Sequence, residues 1–248
     1  MASGDHVVVA LAALILSVAH GASARDWSIV EDGLSANHWS SFVSQEAFDR
    51  TFFPGHIGFY NYDSLKAATG APFGAFAMQG GPDDQKRELA AFFAQIKHES
   101  GGLTQQFEQN CNEECKKSYC APSDRYPCSR DHPPYYMGRG PIQLSWNYNY
   151  GACGDYLGKA LLRDPGLISN SAVTAFQTAL WFWMQNGCHD SIRSGNFGAT
   201  TRAINGDLEC RSGSHWSEQG RQQMLARAGY YRTFCRELGV DPGNNLEC

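Results

Sequence analysis

The stretch DQKRELAAFFAQIKHESGG, residues 84–102, predicts one long amphipathic helix that ends in a glycine turn. Its apolar side chains follow the i, i+3, i+4, i+7 spacing of a single buried helical face: Leu89, Phe92, Phe93 and Ile96. We expect the helix to cover Asp84–His98, with Asp83 or Asp84 as its N-terminal cap. The two glycines at the end of the stretch then stop it.

Glu99 occupies the next position on this apolar face, three residues after Ile96. A carboxyl group on the core side of a helix is partly removed from water, and burial favours its protonated form. A carboxyl group that keeps its proton near neutral pH can act as a general acid. The alternative is a glutamate at a helix end that pairs with a Lys or Arg, and the apolar face alone does not exclude it.

The rest of the chain predicts a mainly α fold with two lobes and a cleft between them. A second strong helix covers Ala172–Gln185, is apolar nearly all round, and is capped by Asn170 or Ser171. Residues 103–137 are rich in cysteine and charge and predict a stapled loop, and Pro141–Tyr150 alternates in the manner of a short β-hairpin. Further predicted elements are helices at Ser44–Thr51, Ala199–Ile204 and Glu218–Leu238, and a helix or strand at Phe59–Ala68.

The N-terminus predicts export. Residues 7–19 are nearly all apolar and are followed by Ala22-Ser23-Ala24, which is typical of a signal peptide over residues 1–24 and too short to span a bilayer. Residues 25–41 then form an N-terminal extension. The net charge is −5, without a block of Lys and Arg, which excludes nucleic acid as a partner. We expect a secreted protein without a membrane partner.

The nine cysteines all lie between Cys111 and Cys248. In an exported chain they predict disulfides, and the odd count leaves at least one thiol unpaired within the chain. A zinc site is the alternative for the first four: Cys111, Cys115, Cys120 and Cys128. Their spacing does not match a paired Cys-x-x-Cys knuckle, so disulfides are favoured.

His98-Glu99 resembles the start of a zinc-protease motif, but Gly102 stands where that motif needs its second His. The more informative question is whether Glu99 has a second carboxylate as partner. Glu108 lies nine residues further on, past the glycine turn, and Glu113 and Glu114 follow. Two carboxyl groups with unlike surroundings suit the hydrolysis of a glycosidic bond.

From Phe42 to Cys248 the chain resembles glycoside hydrolase family 19, the chitinases best known from plants. The most specific match is GRGPIQLSWNYNYG, residues 138–151. The other matches follow in the family's order: EAFDR at 46–50, GFYNYD at 58–63, KREL at 86–89, FAQ at 93–95, HESGG at 98–102, YPC at 126–128, WFWM at 181–184, AING at 203–206 and GNNLEC at 243–248. The resemblance implies a lysozyme-like bilobal α+β fold, with residues 42–248 as the catalytic domain.

The resemblance also implies the catalytic residues. Glu99 matches the general acid, Glu108 matches the base by its spacing, and Ser145 matches a serine that helps the base to hold the attacking water. The sequence around Glu108 departs from the family pattern, so Glu113 or Glu114 remains an alternative for the base. The implied reaction is an inverting endo-hydrolysis of β-1,4 links between N-acetylglucosamine units, without a metal or an organic cofactor.

The implied substrate-binding residues lie further along the chain, and the implied partners are chitin or chitooligosaccharides. Asn205 is expected to bind the N-acetyl group or the water, Arg227 to contact the acid–base pair, and Tyr126 to stack on a sugar. Three residues match sugar-contacting positions: Gln143, Tyr148 and Asn149. The loops match the short-loop members, and no separate chitin-binding module precedes residue 42, which favours soluble or short chitin chains. We expect a monomer.

Two disulfides follow from the resemblance, Cys120–Cys128 and Cys210–Cys248. Two more bridges are expected among four cysteines whose pairing stays open: Cys111, Cys115, Cys153 and Cys188. Cys235 is then the unpaired thiol. Two other functions remain open: a catalytically silent chitin-binding protein on the same fold, and a muramidase that acts on peptidoglycan.

Overall fold

A computed structural model describes residues 38–248, and this part of the chain is mainly helical. It begins with a short 3₁₀ turn at Trp39–Ser41 and contains ten α-helices. In chain order these are α1 Gln45–Ala47, α2 Tyr62–Ala68, α3 Pro82–Glu99, α4 Glu113–Ser118, α5 Asn147–Leu157, α6 Gly166–Asn170, α7 Ala172–Gln185, α8 Cys188–Arg193, α9 Phe197–Glu209 and α10 Glu218–Leu238. A π-helical turn, Phe48–Phe52, continues α1.

Helix α3 forms the centre of the core, as its pattern predicts. The four apolar side chains of the predicted face are fully buried: Leu89, Phe92, Phe93 and Ile96. The predicted cap is wrong, because the helix begins earlier and Gly81 is the N-cap residue. Asp84 instead accepts a hydrogen bond from the backbone N–H of Gly81 at 3.1 Å, which satisfies one donor at the helix start.

Aromatic side chains join α3 to its neighbours. Phe93 meets Phe53 and Phe234 edge-on, with ring centroids 5.1 and 6.5 Å apart, and thus connects the N-terminal segment to α10. Phe92 meets Trp183 of α7 edge-on at 5.5 Å. These are favourable geometries for aromatic pairs, and they fix α3 between α7 and α10.

A buried polar cluster also joins α3 to α7 and α8. Glu88 is 1% exposed and accepts hydrogen bonds from Trp183 Nε1 at 2.9 Å and from the backbone N–H of Ala77 at 3.0 Å. His189 Nδ1 of α8 lies 2.6 Å from the same carboxylate. A buried carboxylate is tolerated only when it has such partners, so Glu88 fixes the positions of three segments at once.

The other predicted helices are confirmed, α7 and α10 with the predicted boundaries and the remaining ones with changed boundaries. Helix α7 covers the predicted Ala172–Gln185, and Ser171 caps it by accepting a hydrogen bond from Thr174 N at 3.2 Å. The segment Phe59–Ala68, for which the sequence leaves helix and strand open, contains helix α2. The predicted loop over residues 103–137 contains the short helix α4, and the helix predicted at Ala199–Ile204 is longer in both directions.

The predicted hairpin over Pro141–Tyr150 is reduced to a loop closed by one bridge. Arg139 and Leu144 exchange backbone hydrogen bonds of 3.1 and 2.9 Å, and helix α5 follows directly. The reason is local, because Gln143 and Trp146 adopt positive φ angles of 51° and 77°, which interrupt an extended strand. In residues 38–248 the β-structure consists of isolated bridges.

The structure contains the two expected disulfides, Cys120–Cys128 and Cys210–Cys248, and a third between Cys111 and Cys115. All four cysteines of the zinc alternative are therefore paired in disulfides. The expectation of a fourth bridge is wrong, because Cys153, Cys188 and the predicted Cys235 are all buried free thiols. Cys153 lies within α5 and Cys188 begins α8, each inside the apolar core, and burial raises the pKa of Cys188 to about 12.

Within residues 38–248 no helix has the length and hydropathy needed to cross a bilayer. The predicted signal peptide, residues 1–24, and most of the predicted extension, residues 25–41, lie outside the described residues.

Replacing Glu88 by Ala is expected to lower the free energy of unfolding by about 3 kcal/mol, because it leaves the buried donors around it without an acceptor. The control is Glu46→Ala, since the Glu46 side chain is 74% exposed and pairs with Arg50 on the surface. That change should cost less than about 1 kcal/mol. Urea unfolding of both variants measures the difference, and equal losses would contradict the role assigned to Glu88.

Candidate active site

A cleft of about 620 Å³ runs between the ends of α3 and α9 on one side and the loops around residues 105–109 and 138–149 on the other. It contains most of the residues that the sequence singles out. Its described lining includes Glu99, Glu108, Gln143, Ser145, Asn149 and Asn205. It also includes residues that the sequence reasoning missed: Gln105, Tyr119, Trp146, Phe182 and Asp207.

Glu99 is the last residue of α3 and faces this cleft, with its side chain 17% exposed. Gly101 and Gly102 have φ angles of 58° and 78°, which are the left-handed values that glycine adopts most easily. The chain therefore leaves the helix directly after Glu99 and opens space in front of its carboxyl group. That carboxyl group accepts a hydrogen bond from Nη2 of Arg227.

Arg227 of α10 is 1% exposed and has a full set of partners. Its Nε and Nη2 donate to the two oxygens of Glu209 at 2.8 and 2.7 Å, and its Nη1 donates to Gln95 Oε1 at 2.8 Å. Burial opposes its charge, but the carboxylates of Glu99 and Glu209 outweigh this and raise the pKa of Arg227. Arg227 thus contacts the expected acid from outside the lining of the cleft.

Asn205 connects the same network to the cleft. Its side-chain amide donates to Glu209 Oε1 at 2.8 Å, and its backbone leaves helical geometry at φ −146° inside α9. Glu209 is fully buried and was missed by the sequence reasoning. The i, i+4 spacing of Asn205 and Glu209 could have indicated this pair. The predicted helix ends at Ile204, however, before either residue.

Glu108 lies on the loop side of the cleft and has its own hydrogen-bond donors. Its Oε1 accepts from the hydroxyl of Tyr119 at 2.7 Å, and its Oε2 accepts from the backbone N–H of Gly138 at 3.2 Å. Burial and, second, this hydrogen bond raise the pKa of Tyr119, so its hydroxyl keeps its proton. A Cβ at Gly138 would lie 2.9 Å from Gln143 Oε1, so a larger residue here would displace the Gln143 amide.

The two alternative bases do not line the cleft. Glu113 and Glu114 lie in the first turn of α4, with side chains 66% and 83% exposed. They pair with Lys116 and Lys117 at 2.6 and 3.3 Å. Of the three candidate glutamates, only Glu108 shares a cavity with Glu99.

The loop of residues 138–146 and the first turn of α5 bring three predicted residues to the cleft. Ser145 Oγ donates to the carbonyl of Gln143 at 2.9 Å, and Asn149 Nδ2 donates to the carbonyl of Ser145 at 2.9 Å. The Gln143 amide donates to the carbonyl of Gly140 at 2.9 Å. These bonds hold the loop in one conformation, and the Ser145 hydroxyl oxygen still has lone pairs for a water in the cleft.

The two predicted tyrosines lie outside the lining of the cleft. Tyr148 is 42% exposed and stacks on Trp146, with centroids 5.9 Å apart, and of this stacked pair it is Trp146 that lines the cleft. Tyr126 packs across Gly151 and donates to Asp155 at 2.8 Å. It lines a separate surface depression, and the structure does not place it where a sugar in the cleft could stack on it.

The helical fold and the pair of unlike carboxyl groups in one cleft suit the hydrolysis of a glycosidic bond. The family model described as chitinase class I matches residues 45–248, and the chain belongs to this family, glycoside hydrolase family 19. The whole helical core and the whole cleft fall inside the match.

Similar proteins and structures agree with this assignment. "Endochitinase B" of Zea mays is 47% identical over 77% of this chain, which spans 63% of its length, and "Acidic endochitinase" of Dioscorea japonica is 38% identical over 88% and 82% of the two chains. "Inactive chitinase-like protein 1" of Hevea brasiliensis is 39% identical over 77% and 67%. The solved class IV chitinase of Zea mays has a TM-score of 0.72 at 40% identity and covers 85% of this chain and 99% of its own.

Replacing Arg227 by Gln is expected to lower the free energy of unfolding by about 3–5 kcal/mol, because it leaves the carboxylate of Glu209 buried without a cation. Arg221→Gln is the control on the same helix, since Arg221 is 45% exposed and pairs with Glu218 on the surface. Its loss should stay below about 1 kcal/mol. Guanidinium unfolding compares the two, and a mild effect of Arg227→Gln would show that the guanidinium does not hold the network.

The free energy of unfolding should depend on pH because of His98. Burial first and the charge of Arg227 second lower the pKa of His98 to about 3, whereas the unfolded chain takes up this proton near the ordinary value of 6.5. The stability contribution of neutral His98 is therefore complete above pH 6.5 and is lost as the pH falls toward 3.

Between pH 7 and pH 4 this loss should amount to about 1–3 kcal/mol and should be absent in His98→Gln. Unfolding free energies of the two proteins across this range measure it. His132→Gln, at an exposed position, should keep the pH dependence of the parent. Parallel curves for His98→Gln and the parent would refute the assignment to His98.

Proposed function

We propose that this protein is an endo-acting chitinase that hydrolyses β-1,4 links between N-acetylglucosamine units with inversion at the anomeric carbon. The observation that carries the proposal is the pair Glu99 and Glu108, two carboxyl groups with different partners in one cleft. An inverting pair stands roughly 6.5–9.5 Å apart, which leaves room for a water on the far face of the sugar.

Glu99 is the general acid in this proposal. It stands at the open end of α3 and protonates the leaving glycosidic oxygen. Arg227 and Glu209 act through it as positioning residues, since the guanidinium holds one oxygen of Glu99 and leaves the other for the substrate. When Glu99 loses its proton, the charge of Arg227 is already beside it, so the new carboxylate is stabilised without rearrangement.

Glu108 is the general base. Donation from Tyr119 and from the backbone of Gly138 fixes the orientation of its carboxyl group. As a carboxylate it takes a proton from a water that the Ser145 hydroxyl helps to hold. The water attacks the anomeric carbon from the face opposite to Glu99, and the sugar inverts.

The substrate is held by amide and aromatic groups of the cleft. Gln143, Asn149 and Asn205 offer amides of the kind that bind the hydroxyl and N-acetyl groups of the polymer. Trp146 supplies an apolar ring for the flat face of a sugar. This chemistry needs neither a metal nor an organic cofactor in the mechanism proposed.

Export and domain organisation are part of the same proposal. Residues 1–24 direct secretion, and residues 42–248 form the catalytic domain, which is supported by the match over residues 45–248. The disulfides Cys111–Cys115, Cys120–Cys128 and Cys210–Cys248 suit an oxidising extracellular compartment. We propose that the protein acts as a monomer.

Glu99→Gln and Glu108→Gln should each lower kcat on chitin hexamer by about 10²–10⁴-fold, because each removes one proton-transfer group. Glu113→Gln and Glu114→Gln are the matched controls and should keep the kcat of the parent, since both side chains are exposed on α4. Release of reducing ends measures turnover, and thermal unfolding verifies that each variant is folded.

Normal turnover in Glu99→Gln would sink the assignment of the acid. A loss of turnover seen only in Glu113→Gln or Glu114→Gln would show that this glutamate, and not Glu108, is the base. A parent protein that binds chitin hexamer without releasing reducing ends would be a catalytically silent binder on the same fold.

A further inference from the structure

The charged side chains that line the cleft all carry the same sign. They are Glu99, Glu108 and Asp207, and no Lys, Arg or His is among the described residues of the lining. Arg227 lies behind Glu99 and is shared with the buried Glu209. A cleft lined by one sign of charge concentrates ligands of the opposite charge.

Asp207 has no part in the two proton transfers. It follows Asn205 by two residues on α9, and its side chain is 55% exposed. Its Oδ1 accepts a hydrogen bond from Ser214 N at 2.9 Å, and its Oδ2 lies 2.5 Å from Nδ1 of His215. The hydrogen bond with His215 is the largest of the effects that lower the pKa of Asp207, so this carboxylate is ionised in mildly acidic solution. When the His215 ring is protonated the two side chains form an exposed ion pair, which is weak in water.

These contacts leave acceptor capacity on the carboxylate, because each of its oxygens has two lone pairs. His215 does not belong to the described lining of the cleft, whereas Asp207 does. A donor bound in the cleft can therefore approach Asp207 beside its existing partners. Asn205, which we assign to the N-acetylated sugar, lies on the same wall.

An N-acetylglucosamine unit is neutral and gains no charge interaction from such a carboxylate. A glucosamine unit has a free amine, which is protonated in mildly acidic solution. We propose that Asp207 recognises the ammonium group of a glucosamine unit beside the Asn205 subsite, so that the cleft accepts partially deacetylated chitin. This inference rests on the proposed function of the same cleft, and it makes Asp207 a specificity-determining residue.

The test is a ratio of two activities at pH 5.5: kcat/KM on partially deacetylated chitin divided by kcat/KM on fully acetylated hexamer. Asp207→Asn keeps an acceptor oxygen for Ser214 but removes the charge. It should lower the ratio about two- to fivefold, the range of an exposed ion pair. Asp207→Glu keeps the charge and should keep the ratio. Added salt should narrow the difference between parent and Asp207→Asn.

Asp241→Asn is the matched control. Asp241 is exposed, does not line the cleft, and accepts a hydrogen bond from a backbone N–H, that of Gly243, at 2.9 Å. This variant should keep the ratio of the parent. An unchanged ratio in Asp207→Asn, or an equal fall in Asp241→Asn, would overturn the proposal.

A failure of the proposed function gives a different result, because the parent would then not cleave the fully acetylated hexamer. If the parent does not cleave chitin, calorimetric measurement of binding to the two types of oligomer still tests the recognition role of Asp207. The parent should bind the partially deacetylated oligomer with a preference that falls about two- to fivefold in Asp207→Asn. Equal preferences in the two proteins would overturn the inference independently of turnover.

Discussion

The guanidinium of Arg227 is the interaction on which the rest of the site depends. It is buried at the meeting point of three helices and bonds Gln95 and Glu99 of α3 and Glu209 of α9 from its own place on α10. An isolated buried cation would be very unfavourable, so it is tolerated only with these partners. Gln95 extends the network by donating to Thr200 and Thr201 of α9. A single side chain thereby links three helices and holds the carboxyl group of Glu99, which we propose as the acid.

The two walls of the cleft are built differently, and this difference separates the two carboxyl groups chemically. The Glu99 wall is helical and rests on the buried Arg227 network. The Glu108 wall is made of loops. Glu108 N donates to the carbonyl of Gly138, and the Glu108 carboxyl group accepts from Gly138 N and from the Tyr119 hydroxyl. One carboxyl group therefore has a cation beside it and the other has neutral donors, so the same functional group meets two environments.

The sequence predicts the helical side of this site better than the loop side. The periodicity that ends in Glu99 is local, so both the buried face of α3 and the position of Glu99 could be inferred from it. The burial of Arg227 could not, because an Arg on a helix is usually solvated and only tertiary packing brings Glu209 to it. The spacing in the sequence indicates Glu108 as the candidate base. Only the structure of α4 shows that Glu113 and Glu114 lie outside the cleft. The prediction of a hairpin is wrong because Gln143 and Trp146 adopt positive φ angles, which cannot be inferred from the alternation of side chains.

In the proposed mechanism, Glu99 at the end of α3 protonates the leaving oxygen and Glu108 on the opposite loop activates the water. The direction from which water reaches the sugar is the most direct consequence of this arrangement. Proton NMR of the products from chitin hexamer, recorded before mutarotation equilibrates the new reducing ends, reports that direction. The account predicts that the α-anomer is formed first, because the water held by Glu108 attacks opposite to the departing oxygen. An initial β-anomer would show retention of configuration and would contradict the division of roles between these two carboxyl groups.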